Sequence, residues 1–324
     1  MASSGAAWEK GNFMTNSIPK EETQGVVVPL VTPLDQDERV DTENLVKLVR
    51  YLVAGGVNGL FVLGSTGEFA RLREIEKIRA IETVKETTAG KVPLYIGIGE
   101  TGICRIKDMI RLVEPYNADF LVVTLPYYYK ALEIQEQYSF FASILESTDR
   151  PIILYNIPEN VGNPIQLDAL PPLLAYKNLI GIKDSSGDMK YLNSLLDLKK
   201  QRHDWKVLCG AEKVFYESLL SGVDGLVPSM GNAFPRMMAS LWEASQKGLW
   251  DMVKIIQSHI LDINRFNLQL NSSLRGVIMR KQALELLNIC GSKTTEPSLS
   301  SFAFNMDDFY ATIRKYHGMY EKKA

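Results

Sequence analysis

The sequence predicts a (β/α)8 TIM barrel with a C-terminal helical extension. Eight short apolar runs, rich in β-branched residues, recur at near-regular intervals. Most are separated by stretches of helical periodicity. The runs are near-continuously apolar, as parallel strands covered by helices should be. The competing architecture is an open doubly wound sheet; the count of eight and the even spacing favour closure.

The elements follow in order. The strand candidates are GVVVPLVTP (25–33), VNGLFVLGST (57–66), VPLYIGIG (92–99), ADFLVVTLP (118–126), PIILYNIP (151–158), LIGIKDSS (179–186), KVLCGAE (206–212) and GLVPSMG (225–231). Between them, segment 41–54 places Leu45, Leu48, Val49 and Leu52 on one helical face. Segment 133–147 does the same with Ile134, Tyr138, Phe141 and Leu145, and 188–199 with Met189, Leu192, Leu195 and Leu196. After about residue 248 the strand signal stops, and helices are expected over 249–270, roughly 274–289 and 307–321. The chain thus divides into a flexible leader (1–24, with Met14 a candidate natural start), the barrel (25–248) and helices packed on it as one unit (249–324).

The 324 residues carry a net charge of -2, with 46% apolar and 23% charged residues. That balance offers neither the basic excess of a nucleic-acid binder nor an acidic tail. No run reaches the ~18–20 apolar residues of a membrane helix, and the N-terminus lacks the apolar core of a signal peptide. The three cysteines, Cys104, Cys209 and Cys290, lie far apart and read as reduced thiols of a cytoplasmic protein. His203, His259 and His317 are scattered without metal-ligand spacing.

In such a barrel the chemistry lies at the C-terminal ends of the strands. Strand two ends in Gly64-Ser65-Thr66-Gly67-Glu68, strand four in Pro126-Tyr127-Tyr128-Tyr129-Lys130, strand five in Tyr155-Asn156-Ile157-Pro158 and strand six in Lys183-Asp184-Ser185-Ser186. Strand eight ends near Ser229. Hydroxyls, phenols and one amine therefore converge on one rim. Apolar surroundings favour the neutral form of an amine, and a neutral amine attacks a ketone to form an imine. A phenol held by other hydroxyls can move the proton. A Gly-Ser-Thr-Gly turn supplies N–H and O–H donors for a carboxylate. These parts fit a 2-keto acid bound through an imine, with no metal or nucleotide cofactor required.

In this order and spacing, GSTGE, PYYYK, YNIP and GIKDSSGD resemble the dihydrodipicolinate synthase / N-acetylneuraminate lyase family of pyruvate-dependent class I aldolases, from about Val26 to residue 315. The resemblance implies that Lys183 is the imine-forming lysine and Tyr155 the acid/base beside it. It implies that Ser65 and Thr66, with Gly64, hold the keto-acid carboxylate and help relay protons, and that the Val227 carbonyl faces the bound molecule. Tyr128 matches a tyrosine that in many members reaches a neighbouring subunit's site, and the resemblance implies that it completes the proton relay. A homotetramer built as a dimer of dimers is implied as well.

The second substrate separates members of that family. Synthases of lysine biosynthesis typically carry a carboxylate-binding arginine two residues after the proline of YNxP; here that position is Asn160. Serine replaces their usual threonine at Ser65. Neuraminate lyases usually have an aromatic and two adjacent acids after strand seven, where this chain reads Gly210-Ala211-Glu212-Lys213. Ser229 matches a sugar-contacting serine. Asn160, Ser229, Glu212 and Lys213 together suit a 2-keto-3-deoxy sugar acid, so an aldolase of that kind, or a neuraminate lyase-like one, is expected. A 4-hydroxy-tetrahydrodipicolinate synthase, a keto-deoxy sugar acid dehydratase and a non-catalytic keto-acid-binding barrel are the alternatives.

Each residue also has a plainer explanation. Alone, Lys183 would be a strand-end lysine snorkelling to solvent and Tyr155 a packed core aromatic. Ser65 or Thr66 would be a helix cap, and at least two of the three adjacent tyrosines packing or interface residues. Glu68 reads as structural. For Lys183 and Tyr155 the register of the four motifs outweighs these explanations. Gly97-Ile98-Gly99-Glu100-Thr101-Gly102 is a literal GxGxxG, with Asp119 some twenty residues on. Yet it follows the third strand, and Asp119 opens the next strand rather than closing one, so a dinucleotide site is not inferred.

Overall fold

The computed structural model describes residues 23–298 and 305–321. Nearly all of the expected leader lies outside the described residues. Eight parallel strands close into a barrel in chain order. They are β1 Gly25–Pro29, β2 Gly59–Val62, β3 Leu94–Gly97, β4 Phe120–Thr124, β5 Ile152–Asn156, β6 Leu179–Asp184, β7 Lys206–Cys209 and β8 Gly225–Leu226. Closure runs through Gly25 opposite Gly225 and Val26 opposite Leu226.

The helices are α1 Thr42–Ala54, α2 Glu74–Thr88, α3 Ile103–Val113, α4 Ile134–Leu145, α5 Pro158–Val161, α6 Leu170–Leu173, α7 Met189–Asp197, α8 Phe215–Ser221, α9 Pro235–Gln246, α10 Trp250–Asn264, α11 Arg275–Leu286 and α12 Met306–Tyr320. Helix α1 shows why its sequence folds locally. Asp41 caps it by accepting from the Asn44 N–H, and Leu45, Leu48, Val49 and Leu52 are its buried face, as the spacing predicts.

Side chains alternate along each strand. Val62, Ile96, Leu121, Leu154, Ile182 and Val207 point outward into the apolar layer beneath the helices. Val27, Phe61, Tyr95, Phe120, Val122, Ile153, Tyr155, Leu208 and Val227 point inward and fill the barrel. Tyr95 stacks on Phe120 with ring centroids 4.6 Å apart.

Helix α4 departs from its expected face. It buries Gln137, Phe140, Phe141, Ala142, Ile144 and Leu145, while Ile134 is exposed. The Gln137 amide donates to the carbonyls of Ala131 and Pro164 and accepts from the Gln166 N–H. A polar residue with every group bonded can therefore face inward, which turns the helix away from the apolar count. In α7, Leu192 and Leu195 are buried, and Met189 and Leu196 only partly so.

The C-terminal helices are bound to the barrel by polar contacts as well as apolar ones. Glu321, just past α12, accepts from the Arg236 and Met237 N–H groups in the first turn of α9. Lys281 of α11 pairs with Glu68 at 2.6 Å, both side chains wholly buried. Arg280 pairs with Glu212 at 2.9 Å.

Candidate active site

Lys183 and Tyr155 are register partners on adjacent strands, both near the C-terminal ends. Both point inward by the alternation of their strands. Lys183 is 5% exposed. Its Nζ lies 3.8 Å from the centre of the Tyr155 ring and 5.1 Å from that of Phe61. Phe61 meets Tyr155 edge to face at 6.4 Å. The amine thus sits in an aromatic corner at the top of the barrel core, and the ring faces attract its charged form. The space below it is lined by Val27, Tyr95, Val122, Leu208 and Val227.

The lysine stem needs a glycine beside it. A methyl group on Gly210 would lie 2.8 Å from the Lys183 Cε and 2.2 Å from the Ser185 Oγ. The aspartate next in sequence faces outward. Asp184 accepts from the Asn156 amide at 2.7 Å and from the Ser186 hydroxyl at 2.9 Å. Burial pushes its carboxyl above the usual range, opposed by those hydrogen bonds. Asn156 in turn accepts from the Ile165 N–H. The pair therefore secures the ends of β5 and β6, the strands that carry Tyr155 and Lys183.

Ser65 and Thr66 open a 3-10 turn directly after β2, on the same rim. Leu63 and Glu68 flank it with φ of +58° and +60°, so the chain is bent sharply on either side and the turn is held apart from the strand. Gly64 is its N-cap. The Gly67 carbonyl accepts from the Thr32 hydroxyl at 2.8 Å. Both Ser65 and Thr66 are half-buried.

Tyr128 stands apart. It is 72% exposed and packs edge to face against Tyr129 at 4.9 Å, so one chain does not bring it to Lys183. Asn160 is exposed on α5. Glu212 and Ser229, both expected to face a substrate, are bonded to each other at 2.9 Å. Glu212 also accepts from the Met230 N–H, Asn264 and Arg280. Its carboxyl is held below the usual range by Arg280 and these donors against strong burial. With four donors on its two oxygens, Glu212 works as the anchor of the turn after β8. Val227 lies in the barrel interior beneath Lys183.

Sequence reasoning missed Phe61, Gly210 and Thr124. Thr124 is the register partner of Tyr155, and its buried hydroxyl has no hydrogen-bond partner among the described residues. Inward parity within the strands was the signal that could have found Phe61 and Thr124. The GxGxxG stretch is structural. Glu100 pairs with Lys77 at 3.0 Å and Arg105 at 2.9 Å, and Asp119 accepts from the Leu94 N–H. No group of three or more His, Cys, Asp or Glu that could hold a metal occurs among the described residues. No helix there is long and apolar enough to cross a membrane.

In this closed parallel barrel one inward amine meets one phenol at the C-terminal rim of the strands, where a barrel of this kind carries its chemistry. The chain belongs to the Dihydrodipicolinate synthetase family, whose profile matches residues 22–308, and it is a lyase of the class I aldolase type. A DapA-like lyase of Pyrococcus abyssi is 35% identical over 225 residues, 69% of this chain and 75% of that protein. A 4-hydroxy-tetrahydrodipicolinate synthase of Karelsulcia muelleri is 29% identical over 284 residues, 85% and 95% of the two chains. The crystal structure of YagE, a prophage protein of the same family from E. coli K12 in complex with pyruvate, superposes with a TM-score of 0.82 at 25% identity, covering 92% and 98%.

Proposed function

We propose that Lys183 forms an imine with pyruvate, or with a 2-keto acid that yields pyruvate, and that the enzyme makes or cleaves the adjacent carbon–carbon bond. The observation that carries this is the buried Lys183 amine against the Tyr155 ring, 3.8 Å from its centre. The amine adds to the C2 carbonyl and water leaves, giving an iminium. In the cleavage direction a base takes the proton of the C4 hydroxyl, the C3–C4 bond breaks, and its electron pair flows to the iminium nitrogen. An aldehyde departs and an enamine remains. The enamine takes a proton at C3, and water then releases pyruvate and the free lysine. Tyr155 moves the protons, and Ser65 and Thr66 hold the carboxylate with Gly64 and the Val227 carbonyl around it. No metal or nucleotide enters this scheme.

The preferred substrate is a 2-keto-3-deoxy sugar acid. Asn160 in place of a guanidinium supports that reading over the synthase of lysine biosynthesis. The synthase reading is favoured in turn by the relative of that name, which aligns over nearly its whole length. A dehydratase would use the same imine. The pyruvate bound in the YagE crystal structure supports the keto-acid half of the site.

The active unit is a homotetramer in the cytoplasm. Exposed large apolar side chains support assembly: Tyr128, Tyr129 and Leu132 after β4, and Leu220, Leu249, Met252 and Ile255 on α8 and around α10.

Borohydride reduction with pyruvate, followed by peptide mapping, tests the chemistry. The expected result is one reduced adduct on Lys183, absent in Lys183→Ala. Tyr155→Phe should still trap pyruvate while turnover falls roughly 10²–10⁴-fold. An adduct at another lysine, or a Tyr155→Phe enzyme with ordinary turnover, would remove these assignments.

A further inference from the structure

The turn that follows β2 is held from the C-terminal part of the chain. Glu68 closes this turn, its N–H donating to the Ser65 carbonyl at 3.1 Å. Its φ is +60°, a left-handed conformation that a glutamate keeps only where its surroundings enforce it. The Lys281 ammonium on α11 pairs with one carboxylate oxygen at 2.6 Å, both side chains wholly buried. The other oxygen accepts from the Thr295 N–H and hydroxyl, both at 2.7 Å. Lys281 also donates to the Lys293 carbonyl at 2.5 Å, and Arg71 donates to the Pro297 carbonyl at 2.9 Å. Helix α11 and the segment after it are thereby bonded to the turn.

At its other end the turn leads to the lysine. Gly64, its N-cap, rests on the Phe61 ring, where a methyl group would come within 2.9 Å. That ring lies 5.1 Å from the Lys183 Nζ. Ser65 and Thr66 stand between Gly64 and Glu68, so a shift of Glu68 moves them relative to the amine. A further anchor on the β1 side is the Gly67 carbonyl, which accepts from the Thr32 hydroxyl at 2.8 Å.

Stability does not account for the pair. A wholly buried ion pair is often no better than apolar side chains of the same volume, and α11 already buries Val277, Ile278, Met279, Ala283 and Leu284. What the pair supplies beyond an apolar contact is directional geometry, since each carboxylate oxygen has its own donors.

We propose that Lys281 is a positioning residue. Through Glu68 it sets the place of the Ser65–Thr66 turn relative to Lys183, and so the fit of the keto-acid carboxylate. This rests on the imine reading above and adds to it a residue that touches no substrate.

The test compares borohydride trapping of two small ketones on Lys183, pyruvate and acetone. Acetone offers a like carbonyl with a methyl group in place of the carboxylate. Wild-type enzyme should trap pyruvate far faster than acetone. Lys281→Met should slow trapping at low pyruvate concentration roughly 10- to 100-fold, as a misplacement of about 1 Å does. The loss should lie mainly in the concentration needed for half-maximal rate, with acetone trapping within about twofold of wild type. Because the single variant is destabilised, the double variant Glu68→Gln with Lys281→Met is run beside it. Stability should return in part while the pyruvate-to-acetone ratio stays low. Equal loss on both ketones in the single variant overturns the proposal, as does a ratio that recovers with stability in the double. Ser65→Ala with Thr66→Ala in one chain tests the underlying reading. An unchanged ratio there removes the carboxylate from that turn, and the positioning role falls with it. A lowered ratio there beside an unchanged ratio in Lys281→Met refutes the role of Lys281 alone. Wild-type enzyme that traps neither ketone refutes the imine.

Discussion

Gly210 places the strongest steric demand on Lys183. It lies at the end of β7, and its missing side chain leaves room for the lysine stem and the Ser185 hydroxyl. A methyl group 2.8 Å from Cε cannot coexist with the present lysine rotamer. Gly210→Ala should therefore swing the amine off the Tyr155 ring. Overpacking of this kind costs about 1–3 kcal/mol of stability, which leaves the protein folded, whereas a misplacement of roughly 1 Å at a reacting group can cost 10²-fold in rate. The expected outcome is a near-normal circular dichroism spectrum with pyruvate trapping slowed on the order of 10²-fold. Unchanged trapping would mean that the lysine stem accommodates the methyl group without moving its amine off the Tyr155 ring. Lys183 and Tyr155 were singled out by the register of the four motifs, because alone each has a plainer explanation as a snorkelling lysine or a packed core aromatic. Phe61 and Gly210 were not, since an aromatic and a glycine in a strand each have an ordinary packing explanation. Glu212 and Ser229 looked like rim residues facing substrate. Their mutual bond depends on Arg280 and Asn264 from distant helices, which no local spacing reveals.

Among elements, α11 and the turn after β2 are joined by the Lys281–Glu68 pair. Glu68 also accepts from the Thr295 N–H and hydroxyl, both at 2.7 Å, and Arg71 donates to the Pro297 carbonyl. The last described part of the 290–298 segment is thus tied to the turn that carries Ser65 and Thr66. Burial pushes the Lys281 ammonium pKa down, countered by Glu68. Removing one partner leaves the other charge buried and uncompensated, at about 3–5 kcal/mol. Lys281→Met should lose that much stability in urea unfolding, and Glu68→Gln with Lys281→Met should recover part of it. Full additivity of the two single losses would show that the charges are independent. The strands and most helices were readable from periodicity because each element's burial is local to its own sequence. Helix α4 was misread at Ile134 because Gln137 finds its partners in Ala131, Pro164 and Gln166. The Lys281–Glu68 tie was invisible for the same kind of reason: nothing near either residue announces the other.

At the scale of the whole molecule, the proposed site in one chain does not include Tyr128, which the resemblance assigns to a neighbouring subunit's site. Lys183, Tyr155, Ser65 and Thr66 lie on one rim, yet Tyr128 stands exposed beside Tyr129. An exposed pair of phenols next to Leu132 is costly to leave in water and is the kind of surface that aromatic-rich interfaces cover. In the proposed assembly a second copy covers this patch, and each Tyr128 completes the proton relay of its neighbour. That arrangement makes a sharp expectation about mixtures. Tyr128→Phe leaves a chain with a working lysine but no relay hydroxyl to lend. Lys183→Ala leaves a chain without the amine but with a hydroxyl to lend. Each homogeneous variant should be nearly inactive. Co-refolded together, they should regain activity, because a mixed pair contains one site with both groups. The recovered activity should fall on dilution below the dissociation constant of the pair and track the oligomer seen by analytical ultracentrifugation. Separate sites within each chain would predict no recovery at any mixing ratio, and Tyr128 would then be a packing residue alone.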